Sequence, residues 1–199
     1  MRKKRLALDF DDCVVNSSEI FLELLNHHYG TSLIMEQMIH FEFEKHFGIS
    51  RDELNQRWLE FDANRYQGKI TLLPGARDMI MRLSAERELH IITNRPSSMV
   101  QSTLELIQAY IPNAVEDVHF CTRPDTLRTY RTKSSVCKHI GAHILVEDHP
   151  QNAHICAADS VHVYLMEQPW NKGHEFPLYP GIIVPVRNWH DPILETLFR

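Results

Sequence analysis

The chain has 199 residues and a hydrophobic content of 43%, which suits one well-buried core with a small accessory lobe, because single domains commonly run to about 100–200 residues. The formal net charge is -5 with both signs mixed along the chain, which excludes a basic surface that grips a nucleic-acid polymer. No stretch approaches the ~20 apolar residues of a membrane span, and the apolar segment after residues 1–5 is too short for a signal-peptide core. We therefore expect a cytoplasmic protein that binds neither a membrane nor a nucleic-acid polymer, while a small anionic ligand remains compatible with its charge.

The cysteines and histidines lack the spacing of a metal site. The four cysteines form no CxxC pair and fall in or beside predicted buried elements, so we interpret them as reduced structural thiols. The thirteen histidines form no HxH or HExxH pattern, which favours surface or packing roles. Only His149, beside Asp148, keeps a functional interpretation.

The first element is a short apolar segment that surrounds Asp9. It predicts a buried strand that runs into a loop at Asp11. The two aspartates would then lie at the carboxyl end of a strand. Taken alone, the pair is interpreted equally well as a catalytic site or as an acidic turn.

A helical pattern occupies residues 17–72. Apolar side chains recur there at helical spacing, and Gly30 supplies a stop signal. Further helical patterns cover residues 35–47 and 52–66, and a capping-box pattern that begins at Ser50 predicts a helix start. We expect an all-helical insert.

Helices and strands alternate after residue 73, which is typical of a parallel sheet covered by crossover helices. The predicted helices span residues 76–85, 97–110, 133–140 and 151–158, with a short final helix from residue 192. The predicted strands span residues 89–93, 118–121, 144–147, 161–166 and 182–186. The sequence therefore predicts an α/β fold, in which residues 1–16 and 73–199 form a doubly wound, Rossmann-like parallel sheet domain. A small all-helical cap, residues 17–72, interrupts that domain after its first strand.

Polar side chains follow three of the predicted strands. They are Asp9 and Asp11 after the first strand, Thr93 and Asn94 after the second, and Glu147 and Asp148 after the strand at residues 144–147. Functional groups of a parallel sheet collect at the carboxyl ends of the strands, where the strand order reverses. The carboxylates there suit Mg²⁺, a hard cation. The Thr93 hydroxyl, loop amides and Lys133, which begins the helix before that last strand, suit a phosphate group.

The segment Asp9-Phe10-Asp11-Asp12-Cys13-Val14-Val15 resembles the DxDx(T/V)(L/V) signature of the haloacid dehalogenase superfamily. Ile91-Ile92-Thr93 fits the second signature of that superfamily, Lys133 the third, and Leu145-Val146-Glu147-Asp148 the acidic fourth, all in the same order. The predicted helical insert is similar to the cap that this superfamily carries after its first strand. The resemblance covers nearly the whole chain.

Within the superfamily, the chain is most similar to the 5'(3')-deoxyribonucleotidase-like branch. The supporting segments are Thr93-Asn94-Arg95-Pro96, Glu147-Asp148-His149-Pro150 and Gln168-Pro169-Trp170-Asn171, the last of which is similar to an (R)PWN segment. The chain departs from the pattern at Asp12, where glycine is frequent, at Cys13, where threonine or valine is usual, and at Gln168, where arginine is common. These departures leave the reaction intact and leave the exact substrate open.

The resemblance implies a magnesium-dependent phosphatase. Asp9 would attack phosphorus to form an aspartyl-phosphate, while Asp11 would protonate the leaving oxygen and later activate water. Mg²⁺ would be bound by Asp9, the Asp11 backbone carbonyl and Asp148, with Glu147 as a further ligand or an outer-shell partner. The residues expected to bind phosphate are Thr93, Asn94, Arg95 and Lys133.

Several of these roles have alternatives. Lys133 is favoured over Lys138 because it begins its helix nearer the strand ends. Arg95 is interpreted equally well as a phosphate ligand and as cover for the adjacent turn. For Trp170, closing a hydrophobic loop is favoured over contact with substrate. The polar residues 128–131 fit a solvated loop better than a substrate contact.

The expected substrate is a small phosphorylated metabolite, with a nucleoside monophosphate as first choice. Sugar phosphates and other small phosphate esters share the same chemistry and form the second hypothesis. A catalytically silent binding protein is a third, weakened because Asp9, Asp11, Lys133 and Asp148 are all present. A dehalogenase is disfavoured by Asp11, and a homodimer is compatible with the sequence, which does not determine the oligomeric state.

Overall fold

The structure is a computed structural model that describes residues 3–63, 66–121 and 132–198. The loop at residues 128–131, considered above as a substrate contact, lies outside the described residues.

In the described parts of the chain, the sheet has six parallel strands in the order β3-β2-β1-β4-β5-β6. The strands are β1 (Lys4–Leu8), β2 (Arg87–Thr93), β3 (Asp117–Phe120), β4 (Ile144–Glu147), β5 (His162–Met166) and β6 (Ile183–Val186). The strand order reverses next to β1, which pairs with β2 through Leu8 and Ile91 and with β4 through Leu8 and Val146. The predicted doubly wound parallel sheet is therefore confirmed.

Four helices of the sheet domain cover the two faces of this sheet. They are α4 (Ala76–Glu86), α5 (Val100–Tyr110), α6 (Lys133–Ile140) and α7 (Pro150–Ala158). Successive side chains of a strand point to opposite faces, so β1 contributes Leu6 and Leu8 to one hydrophobic core and Ala7 to the other. All three are fully buried, as expected for a central parallel strand with both faces covered.

Residues 17–69 contain α1 (Ser17–Tyr29), α2 (Phe43–Phe47), α3 (Arg51–Ala63) and 3-10 turns at Met35–Gln37 and Tyr66–Lys69. An aromatic cluster joins α1 to α3. The rings of Phe21 and Trp58 stack with centroids 3.7 Å apart, and Phe61 packs edge-on against both. Gly30 ends α1 in the left-handed conformation, with φ of 65°, which glycine adopts without steric cost.

The predicted helix over residues 35–47 is wrong. The chain forms a 3-10 turn at Met35–Gln37 and resumes a helix only at α2. Phe41 lies between these pieces, and its ring contacts His149 of the sheet domain with centroids 4.0 Å apart. This tertiary contact overrides the local helical pattern.

Two chain segments connect the helical residues to the sheet domain, and they are hydrogen-bonded to each other. Val15 and Leu72 form an antiparallel bridge. The Asn16 amide donates to the Thr71 carbonyl at 3.0 Å, and the Thr71 amide donates to Asn16 Oδ1 at 2.8 Å. The entry and exit of the helical segment are thereby fixed next to the loop that carries Asp9 and Asp11.

The other predicted elements agree with the structure apart from small shifts at their ends. The strand β2 begins two residues early, at Arg87, because α4 ends in an extended residue there. The helix predicted from residue 97 starts with a 3-10 turn at Ser97–Met99, and the final helix is a 3-10 segment at Pro192–Phe198. Among the helices in the described parts of the chain, none has the length and apolar content needed to cross a membrane.

Candidate active site

A cavity of about 470 Å³ lies between the carboxyl ends of the central strands and the helical segment. The sheet domain lines it with polar residues, among them Asp9, Asp11, Asp12, Asn94, Arg95, Lys133, Glu147 and Asp148. The helical segment lines it with Ser18, Phe41, Phe43, Arg51, Leu54, Asn55, Trp58 and Leu59. The cavity is therefore charged on the side of the strand ends and mainly apolar on the opposite side.

Lys133 joins two carboxylates at the floor of this cavity. Its Nζ lies 2.5 Å from Asp9 Oδ2 and 2.7 Å from Glu147 Oε2. All three side chains are at least nine-tenths buried. Burial alone would lower the pKa of Lys133, but the surrounding carboxylates raise it well above its ordinary value, which favours the charged form of Lys133. By contrast, Lys138 on the same helix is exposed and pairs with Asp159.

Asp9 is held rigidly at the end of β1. Its backbone amide donates to the Val146 carbonyl at 2.8 Å, and its Oδ1 accepts from the Phe10 amide at 2.7 Å. Burial raises the pKa of Asp9 to about 7, against the opposing effect of Lys133 and with a contribution from Glu147. The Asp9 carboxylate thus faces one cation and several anions, an environment that would favour a further bound cation.

Glu147 has hydrogen-bond partners on both of its oxygens. Oε2 accepts from Lys133, and Oε1 accepts from the His149 amide at 3.1 Å and from Asn152 Nδ2 at 3.0 Å. The side chain is fully buried. These contacts make Glu147 the anchor of Lys133. Asn152 is a site residue that the sequence pattern did not reveal.

Asp11 points toward Arg95. Arg95 Nη2 lies 2.7 Å from Asp11 Oδ1, and Nε lies 3.0 Å from each carboxylate oxygen. The Ser17 hydroxyl also donates to Asp11. Burial would raise the pKa of Asp11, but the Arg95 charge and these hydrogen bonds outweigh it and hold the pKa below its ordinary value. Asp11 is therefore a carboxylate in this conformation.

The other residues expected to bind phosphate lie around Arg95. Thr93 is fully buried; its Oγ1 accepts from the Arg95 amide at 3.1 Å and lies 3.5 Å from Asp11 Oδ2. Asn94 is exposed and lines the cavity. The guanidinium of Arg95 also lies 4.7 Å above the Phe10 ring. Arg95 lines the cavity, and its guanidinium contacts Asp11 and the Phe10 ring, so its role as a phosphate ligand stays a prediction.

Asp148 lies beside Asp9 and is almost completely buried. Oxygens of the two carboxylates and the Cys13 sulfur lie within 4.8 Å of one another. The Cys13 thiol is 3.9 Å from Asp148 Oδ1, and Trp170 Nε1 donates to Asp148 Oδ2 at 3.1 Å. Burial raises the pKa of Asp148 well above its ordinary value, and the Glu147 and Asp9 charges raise it further.

This donor set fits a magnesium ion. Two buried carboxylates whose pKa values are both raised form a site that a bound cation would stabilise, and carboxylate oxygens are the protein ligands that Mg²⁺ prefers. Cys13 is a poor ligand for such a hard cation. Burial, together with the Asp148 charge, raises the pKa of its thiol, so Cys13 remains a protonated, weak donor.

Asp12 also lines the cavity, and the sequence indicated it only as a departure from the signature. Its φ of 56° is in the left-handed region, which explains why glycine is frequent at this position. The Asp12 carboxylate accepts from the Ser18 amide at 3.0 Å and from the Ser18 hydroxyl. Burial raises its pKa to about 7 despite these hydrogen bonds. Asp12 thereby fixes the start of α1 against the loop that carries Asp9 and Asp11.

The aromatic residues of the helical segment divide into two groups. Phe41, Phe43 and Trp58 line the cavity. Phe61 is fully buried in the core of the segment and is not part of the cavity wall. Trp170, considered above as a substrate contact, is 4% exposed and contacts Asp148. It is also not among the residues that line this cavity.

The chain is similar to known proteins over most of its length. A family model described as 5' nucleotidase, deoxy (pyrimidine), cytosolic type C protein matches residues 3–177. The chain is 25% identical to "Putative nucleotidase BH1399" of Halalkalibacterium halodurans over 190 residues, covering 94% of this chain and 90% of that protein.

Solved structures show the same fold. The haloacid dehalogenase-like family protein SP0104 from Streptococcus pneumoniae superposes with a TM-score of 0.70 at 12% identity, covering 99% of both chains. The "putative HAD-hydrolase YfnB" from Bacillus subtilis, solved bound to magnesium, has a TM-score of 0.59 at 16% identity, covering 100% of this chain and 98% of that one.

Proposed function

Because the chain belongs to the cytosolic type C 5'-nucleotidase family, and is thus a phosphoric monoester hydrolase of the haloacid dehalogenase-like fold, we propose that it hydrolyses nucleoside monophosphates in the cytoplasm with the help of Mg²⁺. The observation that carries the proposal is the arrangement of Asp9, held 2.5 Å from Lys133, beside Asp148 at the floor of a cavity with an apolar roof.

Asp9 is the nucleophile in this proposal. One Asp9 oxygen attacks phosphorus, the bond from phosphorus to the ester oxygen breaks, and an aspartyl-phosphate forms. The Asp11 carboxyl gives its proton to the leaving oxygen. In the second step the Asp11 carboxylate takes a proton from water, the water oxygen attacks phosphorus, and inorganic phosphate leaves with Asp9 restored.

In this scheme Arg95 also controls the protonation of Asp11, because a general acid must carry a proton. The ion pair with Arg95 keeps Asp11 ionised. A phosphate group in the cavity is a competing partner for the guanidinium, since arginine binds phosphate and carboxylate oxygens alike. Substrate binding would thus release Asp11 to accept a proton and bring Arg95 onto the phosphate, with Lys133, Asn94 and the Thr93 hydroxyl as further donors.

Asp9, Asp148 and the Asp11 backbone carbonyl would hold Mg²⁺. When bound, the ion neutralises the negative charge of the phosphate and of the two carboxylates, so that one anion can approach another. Glu147 would be an outer-shell partner of the ion, since its two oxygens accept from Lys133, the His149 amide and Asn152.

Residues 17–72 would act as a cap that selects the substrate. The helical side of the cavity presents Phe41, Phe43 and Trp58, which favours a planar, weakly polar group such as a nucleobase over the hydroxyl-rich surface of a sugar phosphate. Arg51 and Asn55 line the same side and supply polar contacts for the edge of a base. The apolar roof therefore supports nucleoside monophosphates as first choice.

The test is a phosphate-release screen with purified protein over nucleoside monophosphates and common sugar phosphates, with and without Mg²⁺. We expect activity that chelation abolishes and added Mg²⁺ restores, with nucleotides preferred. Ca²⁺ should be a poor substitute because its coordination shell is larger and looser. Full turnover in metal-free protein would contradict the proposed mechanism, preference for sugar phosphates would contradict the substrate, and no release from any ester would favour a silent binding protein.

A further inference from the structure

The segment Gln168–Asn171, which follows β5, contacts Asp148 and the Asp12 backbone without lining the cavity. Trp170 is 4% exposed, and its indole Nε1 donates to Asp148 Oδ2 at 3.1 Å. The ring also packs edge-on against Phe41, with centroids 5.7 Å apart. The buried indole therefore has a defined orientation and a single carboxylate oxygen as its acceptor.

The neighbouring residues hold the backbone around the same aspartate. Asn171 Nδ2 donates to the carbonyls of Asp148 and Met166, both at 2.7 Å, while Asn171 Oδ1 accepts from the Gln168 amide at 3.0 Å. Gln168 Nε2 donates to the Asp12 carbonyl at 2.8 Å. Three of the four residues in this segment thus connect the Asp148 loop to the loop that follows the nucleophile.

The charge of the donors distinguishes Asp148 from three other carboxylates of the site. Asp9 and Glu147 are both paired with Lys133, and Asp11 with Arg95. The side-chain donors that contact Asp148 in the described parts of the chain are the Trp170 indole and the weak Cys13 thiol, and both are uncharged. An uncharged N–H group orients a carboxylate without neutralising it, so Asp148 would hold the ion without a competing side-chain cation, whereas Asp9 is also paired with Lys133.

We propose that Trp170 is a positioning residue that, through its indole N–H, fixes the Asp148 carboxylate for magnesium binding while leaving its negative charge available to the ion. Asn171 supports it by fixing the Asp148 backbone. This inference rests on the proposed function, because it requires that Asp148 binds Mg²⁺. It assigns the tryptophan of the Gln168–Asn171 segment to the metal rather than to the substrate.

The first test replaces the indole by a ring without a donor. Trp170→Phe keeps most of the packing, and we expect its Mg²⁺ affinity, measured by isothermal titration calorimetry without substrate, to fall about tenfold or more, since loss of an outer-shell partner typically costs 10–100-fold. Activity should recover at saturating Mg²⁺, with the KM for substrate unchanged. A merely structural role would not shift the Mg²⁺ titration.

Trp189→Phe is the matched control. Trp189 is 1% exposed, and its indole donates to the Cys13 carbonyl at 2.6 Å, so this variant also loses one buried indole hydrogen bond but does not touch Asp148. We expect a comparable loss of thermal stability and an Mg²⁺ affinity within about twofold of the wild type. An equal loss of Mg²⁺ affinity in both variants would overturn the inference.

A second measurement uses the wild-type protein and does not depend on the folding of the variant. The chain has three tryptophans, whose indole N–H resonances in a ¹H–¹⁵N spectrum are assigned from Trp58→Phe and Trp189→Phe. Mg²⁺ should shift the Trp170 resonance most and the Trp189 resonance little. Mg²⁺ binding that leaves the Trp170 resonance and the Trp170→Phe affinity unchanged would overturn this inference but not the proposed function, whereas a wild-type protein that binds no Mg²⁺ would overturn the metal part of the proposed function itself.

Discussion

The two sides of the cavity are built from different interactions. On the sheet side, Lys133 and Arg95 are nearly fully buried and each is paired with a carboxylate at 2.7 Å or less. On the helical side, the cavity wall is mainly apolar. The Arg51–Glu44 and Lys69–Glu23 ion pairs of the helical segment each include a partner that is more than half exposed. Buried ion pairs tolerate little change, whereas exposed pairs contribute little to stability. We infer that the reaction depends on the sheet side and that substrate choice can vary on the helical side.

The largest effect is expected from removing the nucleophile on the sheet side. Asp9→Asn should reduce turnover to background, because a neutral amide cannot form an acyl phosphate, while circular dichroism should show a folded protein. Brief exposure of the wild type to an activated aryl phosphate, followed by peptide mapping, should place the phosphoryl group on Asp9. A phosphoryl group on Ser17 or His149, or an Asp9→Asn variant with most of its activity, would contradict the assignment.

Asp11→Asn should have the next largest effect on turnover. The nucleophile and the backbone carbonyl remain, but no side chain can protonate the leaving group or activate water, which typically costs about 10²–10⁴-fold. Steady-state and single-turnover rates measure this loss. With an activated aryl phosphate, which has a good leaving group, the variant should accumulate the phosphorylated protein, and mass spectrometry detects it. A variant with a wild-type rate on nucleotides would assign the acid to another group.

The Lys133→Met variant tests the buried ion pairs on the sheet side. The quantity measured is the stability of the protein rather than its activity. Removing this cation leaves Asp9 and Glu147 buried without it, so the free energy of unfolding should fall by about 3–5 kcal/mol. Lys138→Met is the control on the same helix. It removes an exposed pair with Asp159 and should cost less than about 1 kcal/mol. Urea denaturation of both variants measures the difference, and equal losses would show that burial does not separate the two lysines.

The smallest effect is expected on the helical side. Phe41 lines the cavity and is 39% exposed, and the variant Phe41→Leu removes its aromatic ring. This variant should raise the KM for nucleoside monophosphates by about two- to tenfold, since an aromatic contact is worth about 0.5–1.5 kcal/mol beyond its area. The kcat for p-nitrophenyl phosphate should stay within about twofold.

Phe61→Leu is the control for this last prediction. Phe61 is fully buried outside the cavity wall, so its replacement should lower stability by about 1 kcal/mol and leave the ranking of substrates unchanged. If Phe41→Leu also leaves the ranking of nucleotides and sugar phosphates unchanged, substrate choice is determined elsewhere than on the helical side.

The sequence by itself determined the fold class and the family. Alternating strand and helix patterns predict a parallel sheet, and a parallel sheet gathers residues that follow different strands at one edge. For this reason Asp9, Asp11, Lys133 and Asp148 could be predicted to meet, and the structure brings them to one cavity. The predicted similarity to haloacid dehalogenase-like nucleotidases is confirmed by the family match over residues 3–177.

Only the tertiary structure decided which partner each charged or polar side chain takes. Arg95 contacts Asp11 across 84 residues, Lys133 contacts Glu147 across 14, and Trp170 contacts Asp148 across 22. Periodicity places a residue on a face or at the end of an element, but the partner of its side chain depends on rotamers and packing among segments distant in sequence. The same reason explains the broken helix over residues 35–47, where the contact of Phe41 with His149 outweighs a local pattern that continues as a helix.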